Sequence, residues 1–169
     1  MEDSTLAAQV HEALLARVAT VATAESLTGG GVGRLLSSVA GSSATYRGGV
    51  VSYATDVKVS LLGVSEELVA THGVVSAACA EQMAVGVRAL LRCDWAVSTT
   101  GVAGPTLQEG KPAGTVHVGV AGPDGVRSIA LELEGDRDSV RSGTEQAALA
   151  ALLDRVLDHV LGSDVGAGD

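Results

Sequence analysis

The chain has 169 residues, a formal net charge of −9 and a hydrophobic fraction of 46%, with 22 glycines, no phenylalanine and aromatics at only 2%. That length suits one domain whose core is built from Val, Leu and Ala, and the glycines fall within apolar periodic segments and their turns, which argues against disorder. Nucleic acid is disfavoured as a partner because no Lys/Arg stripe exists to neutralise phosphates.

Cys79 and Cys93 have no CxxC spacing, and His11, His72, His117 and His159 are scattered. Neither a metal site nor a disulfide scaffold is expected, and no step of the chemistry below asks for a cofactor. The N-terminus has no basic region followed by an apolar one, and no apolar run reaches membrane-spanning length. The expectation is a cytoplasmic protein without a membrane partner. One domain over 1–162 and a disordered tail over 163–169 are expected.

Leu6, Val10, Leu14 and Val18 recur at helical spacing, so a first helix is expected from Thr5 to Val18, capped by Ser4 or Thr5. Val18 to Ala22 reads as a strand and leads into Thr23-Ala24-Glu25-Ser26-Leu27-Thr28-Gly29-Gly30-Gly31. A helix from about Gly30 to Val39 follows. Ser26 therefore stands where a strand turns into a helix, beside glycines that permit a tight turn. The new helix is expected to offer unpaired N–H groups to a developing negative charge or a phosphate.

Tyr46 to Ala54 reads as a second strand with Gly48-Gly49 marking a bulge or close contact, and Thr55-Asp56 opens a short helix carrying Lys58 and stopped by Gly63. Another short helix runs from Ser65 to Thr71. A long one, capped by Ser76, runs through Arg92. Asp94 to Thr100 is a third strand, ending in the loop Thr100-Gly101-Val102-Ala103-Gly104-Pro105. Thr106 to Pro112 is polar and reads as a mobile flap. Thr115 to Val120 and Val126 to Glu134 read as a hairpin turning at Pro123-Asp124-Gly125, before a final helix from about Asp136 to Leu161.

This order implies an α/β fold: a three-layer α/β/α arrangement with a mixed sheet and helices on both faces. If the first three strands are parallel, Ser26 to Gly30, Tyr53 to Lys58 and Thr100 to Pro105 meet at one sheet edge, where sites in such folds lie. Ser26 is then a candidate nucleophile in need of a base. Lys58 lies among Val57, Val59 and Leu61, where partial burial lowers an amine's pKa; the alternative is an exposed lysine on an amphipathic helix. Tyr53 stands where it can relay a proton or orient Lys58, or serve only as a strand aromatic. His72 is the nearest histidine, more in keeping with a helix end than with catalysis. Thr100 and the amides of Gly101 to Gly104 are placed to position an oxyanion or carbonyl, and Arg137 and Arg141 to form an anion clamp or two solvated charges.

Several segments together resemble the competence/damage-inducible CinA C-terminal domain, the nicotinamide-nucleotide amidohydrolase family. They are Ala24-Glu25-Ser26-Leu27-Thr28-Gly29-Gly30, Val39 to Ser43, Tyr53 with Lys58 and Gly63-Val64, His72 to Ser76, Thr100 to Pro105, Lys111 to Val116, and Gly135-Asp136-Arg137 with Arg141. The likeness runs from first helix to last. It implies deamidation of nicotinamide mononucleotide to nicotinate mononucleotide and ammonia, in pyridine-nucleotide recycling, by a Ser/Lys pair matching Ser26 and Lys58. Tyr53 and Thr100 match further catalytic positions, and either Arg137 or Arg141 matches a family arginine. Thr28, Gly29, Gly30, Gly101, Gly104 and the two arginines are the expected substrate-binding set.

Leu27 replaces a frequent cysteine, with a side chain that need not face the substrate, and Thr106 stands where an acidic residue is common. The molybdopterin-binding-like domain often N-terminal to the family has no counterpart in the sequence, so a stand-alone form is expected. Apolar helix faces at both termini point to a homo-oligomer, a dimer or higher. Two other readings remain at this stage: a non-catalytic nucleotide-binding or regulatory module, and a Ser/Lys amidase for another small amide.

Overall fold

A computed structural model describes residues 5–163. The apolar residues alternate between two faces of a central sheet, and helices cover both. In chain order the elements are α1 (Leu6–Leu15), β1 (Val21–Glu25), α2 (Gly31–Ser37), a 3-10 turn (Ser42–Ala44), β2 (Tyr46–Val51), α3 (Thr55–Leu62), α4 (Glu66–His72), α5 (Ala77–Leu91), β3 (Trp95–Gly101), β4 (Thr115–Gly122), β5 (Gly125–Glu132) and α6 (Arg137–Ser163). The sheet order is β2-β1-β3-β4-β5. β2, β1 and β3 are parallel, and β4 and β5 are antiparallel additions.

One core layer packs α1, α2 and α6 on the sheet through Val10, Leu14, Val32, Leu36, Leu149 and Leu152; the other packs α5 and the loops around α3 and α4 through Leu62, Val64, Val75, Met83 and Val87. The expected three-layer α/β/α fold is therefore present. Side-chain caps close the helix starts where short polar residues precede an apolar run: Thr5, Ser65 and Ser76 each accept from the amide three residues on.

The boundaries differ from expectation in instructive places. β1 begins at Val21 rather than Val18, because Val18 has a positive φ of 52° and is 93% exposed in the turn that ends α1. The strand instead starts where the amide and hydroxyl of Thr20 both donate to Asp94, aligning Val21 with Trp95. The expected irregularity at Gly48-Gly49 is a register shift: Val21 pairs with Tyr46 and Ala22 with Gly48. The 3-10 turn was not anticipated. α6 includes Ser163, and the rest of the expected 163–169 tail lies outside the described residues. Among the described residues no helix is long and apolar enough to cross a membrane.

Candidate active site

The C-terminal ends of β1, β2 and β3 lie at one edge of the sheet because the three strands run the same way. Parts of the segments that leave those ends, with the start of α6, line one cleft of about 240 Å³, formed in part by Ser26, Tyr53, Lys58, Thr100, Gly104 and Arg137. Gly101 also lines it.

Lys58 occupies the first turns of α3, and its side chain is driven inward: the residue is 1% exposed. Its Nζ donates to Ser26 Oγ at 2.9 Å, to the Ser52 carbonyl at 2.6 Å and to the Tyr53 carbonyl at 3.2 Å. Burial pushes the Lys58 amine below its ordinary value, and the weaker pull of Cys79 and Glu109 in the other direction does not reverse this. A neutral amine keeps two N–H bonds for the two carbonyls. Its lone pair is then left for the Ser26 hydroxyl, so the carbonyls orient the base as well as satisfying it.

Ser26 is fixed through its own backbone, its amide donating to the Thr99 carbonyl at 3.0 Å and its carbonyl accepting from Gly29 at 3.0 Å. Beneath it lies Glu25, which is 2% exposed. The Glu25 carboxylate accepts from the Thr28 hydroxyl at 2.6 Å and from the amides of Val32 at 2.8 Å and Gly33 at 3.0 Å. The first turn of α2 is thus already served by a carboxylate of the chain itself. This corrects the expectation that the helix start presents open N–H groups to a ligand.

The remaining expected site residues divide. The Tyr53 phenol does not reach Lys58; it accepts from Arg137 Nη2 at 3.1 Å, and only the Tyr53 carbonyl meets the amine. Arg137 also donates to the Gly104 carbonyl at 2.7 Å, which joins α6 to the Thr100 loop. The Thr100 hydroxyl is committed to the Val74 carbonyl at 2.7 Å. Thr28, Gly29, Gly30 and Arg141 line a different cleft, which has no lining residue in common with that of Ser26. His72 ends α4 and lines a separate groove beside Ser65 and Leu68. Leu27, expected to have a side chain that need not face the substrate, is buried in the core and also lines the cleft.

The segment expected to be a flap is tied down. Gln108 and Lys111 form a short antiparallel bridge, Glu109 accepts from the amides of Val74 at 2.9 Å and Val75 at 3.4 Å, and the Lys111 ammonium donates to the Val75 carbonyl. Thr106, Leu107 and Gln108 thereby form one wall of the cleft. Glu25, Glu109 and Lys111 were given no role from sequence. Glu25 carried a faint signal, an acidic residue placed just before a strand-to-helix turn, and Lys111 opens a segment that carries the resemblance; Glu109 carried none, and the partners of Glu109 and Lys111 lie more than thirty positions away.

The sequence model of the CinA C-terminal domain matches residues 3–156. Over 147 residues the chain is 50% identical to a CinA-like protein of Frankia casuarinae, covering 87% of this chain and 34% of that protein. It is 46% identical over 162 residues to a CinA-like protein of Thermosynechococcus vestitus, covering 92% of this chain and 38% of that one. The chain thus spans little more than a third of these curated relatives. Among solved structures, a competence-damaged protein (CinA) superfamily protein of Klebsiella pneumoniae superposes with a TM-score of 0.88 at 34% identity, covering 90% of this chain and 96% of that one. The competence/damage inducible protein CihA of Agrobacterium tumefaciens does so with a TM-score of 0.85 at 36% identity, covering 88% and 92%. With the family pattern running along nearly its whole length and the same fold at these identities, the chain belongs to the CinA C-terminal domain family.

Proposed function

We propose that this protein is an amidohydrolase that deamidates nicotinamide mononucleotide to nicotinate mononucleotide and ammonia through Ser26 and Lys58. The observation that carries the reading is the 2.9 Å contact between a serine hydroxyl on the cleft wall and a buried lysine amine whose pKa is lowered by that burial. A surface lysine would be charged and useless as a base at neutral pH. Removal from water is what makes the amine available.

In this reading Ser26 Oγ attacks the carboxamide carbon while Lys58 takes its proton. The C–N bond of the tetrahedral intermediate then breaks, Lys58 returns the proton to the leaving nitrogen, and ammonia departs. Water, deprotonated by the same amine, hydrolyses the acyl-enzyme and restores both groups. The amides of Ser26, Gly29, Gly31 and Val102 are spent on the carbonyls of Thr99, Ser26, Thr28 and Thr115. In this reading the oxyanion is received by amides of Leu27 beside the serine or of Ala103 and Gly104 in the Thr100 loop, residues that line the cleft. Arg137 is the cation besides Lys58 on the cleft lining, and it takes the substrate phosphate.

The test is ammonia release from nicotinamide mononucleotide by the purified protein. Ser26→Ala and Lys58→Ala are each expected to lose on the order of 10³-fold or more in kcat, as members of one catalytic unit do. Turnover at the wild-type level in either variant would falsify the assignment.

A further inference from the structure

Arg137 and Arg141 stand one turn apart on α6, yet they reach different targets. Arg137 enters the Ser26 cleft. Arg141 donates from Nε to the Leu27 carbonyl at 3.1 Å and from Nη2 to the Thr28 carbonyl at 3.4 Å. Its guanidinium lies against Gly29, where φ is +59° and a Cβ would stand 3.5 Å from Nη2. The two carbonyls it holds belong to the residues directly after Ser26. On the sheet side of the same turn, Glu25 holds the Thr28 hydroxyl and the amides of Val32 and Gly33, and Thr28 Oγ1 is 2.8 Å from Thr99 Oγ1.

We propose that Arg141 is a positioning residue for Ser26, gripping the Ser26–Gly30 turn against Glu25 so that the hydroxyl stays at Lys58, and that it does not bind substrate. The inference rests on the amidohydrolase reading above for its catalytic consequence. The guanidinium suits the task because its planar fork spans two adjacent carbonyls at once, which a lysine ammonium on a flexible stem does not reproduce. The serine hydroxyl has one rotor of its own. Where Oγ stands relative to Nζ is otherwise decided by the backbone of the turn, and that backbone is held from both sides by these two side chains. Displacing a reacting atom by even an ångström costs on the order of 10²-fold in rate, so a grip on the turn is a grip on kcat. A ligand of the substrate would instead act on KM.

The experiment compares wild type, Arg141→Gln, Arg141→Lys and Glu25→Gln by two readouts. One is kcat and KM for ammonia release from nicotinamide mononucleotide. The other is the rate of Ser26 labelling by an uncharged alkyl fluorophosphonate, in which the Oγ–P bond forms, the P–F bond breaks, Lys58 takes the proton and fluoride leaves. Arg141→Gln is expected to lower kcat and the labelling rate by the same factor, on the order of 10- to 10²-fold. KM should stay within about twofold and the pH inflection of labelling should not move. Glu25→Gln should show the same signature, and Arg141→Lys should recover part of the loss. Thermal melts on the same samples separate a folded, misaligned enzyme from an unfolded one.

A several-fold rise in KM with unchanged labelling would make Arg141 a substrate ligand and overturn the proposal, as would unchanged values in both readouts. Wild type that is labelled at Ser26 but releases no ammonia from this nucleotide removes the substrate reading alone, and labelling still decides the role of Arg141. Wild type that resists labelling overturns both.

Discussion

The hydroxyl of Thr100 donates to the carbonyl of Val74 at 2.7 Å, tying the end of β3 to the loop between α4 and α5. Both residues line the cleft, and Thr100 is buried. Thr100→Val keeps the shape of the side chain and removes the donor, leaving a carbonyl without its partner. The expected cost is about 1–3 kcal/mol, the usual penalty for stranding a buried polar group. Thr100→Ser should restore most of it in chemical denaturation. Equal stability of the valine and serine variants would show that the bond contributes nothing.

Lys58 sets a pH dependence of known sign. Its folded pKa lies below the ordinary 10.5 because burial disfavours the ammonium. Activity should therefore rise with pH as the amine loses its proton, with an inflection below 10.5 rather than at it. Stability follows the same direction: between the lowered folded pKa and the unfolded one, the unfolded chain binds more protons, so stability rises with pH across that window. Wild type should gain stability over Lys58→Met as pH climbs through the window, measured by denaturant titration at a series of pH values.

Arg137 and the substrate phosphate are expected to meet in the Ser26 cleft. Arg137→Gln should raise KM for nicotinamide mononucleotide by about tenfold or more, the order of a lost charge-assisted hydrogen bond, and leave the phosphate-free riboside nearly unaffected. Steady-state kinetics on the two compounds reads this directly. An equal effect on both would place the arginine elsewhere in the mechanism.

Glu109 pins the 106–110 segment to the amides of Val74 and Val75. Glu109→Ala releases that wall of the cleft. Hydrogen exchange over 104–112 should accelerate, and KM should rise several-fold with a smaller change in kcat. Exchange indistinguishable from wild type would mean that Lys111 holds the segment alone.

Gly86 separates local preference from tertiary constraint. It lies inside α5, where alanine is favoured over glycine by about 1 kcal/mol. A Cβ there would collide with the Leu62 carbonyl at the end of α3, and backbone does not yield as a side chain does. Overpacking of this kind costs roughly 1–3 kcal/mol. Gly86→Ala is therefore expected to lower the melting temperature, and a rise would mean that α3 moves aside freely.

The sequence alone determined what short spacing can carry. Apolar residues three and four apart marked the helices, Ser4 or Thr5, Ser65 and Ser76 marked their starts, and Ser26 and Lys58 stood out as a hydroxyl at a strand end and a lysine among aliphatics. How these meet is set by the packing of distant segments. The parallel order β2-β1-β3 brings Lys58 to Ser26 across 32 positions, and the path of α6 separates Arg137 from Arg141, sending one to the cleft and the other behind the serine. Glu25 and Glu109 take their roles mostly from backbone amides, and an amide advertises nothing in the one-letter code. Periodicity reports which face of an element is buried; sheet order and register choose what that face is buried against, and they act over distances along the chain at which local pattern has no reach.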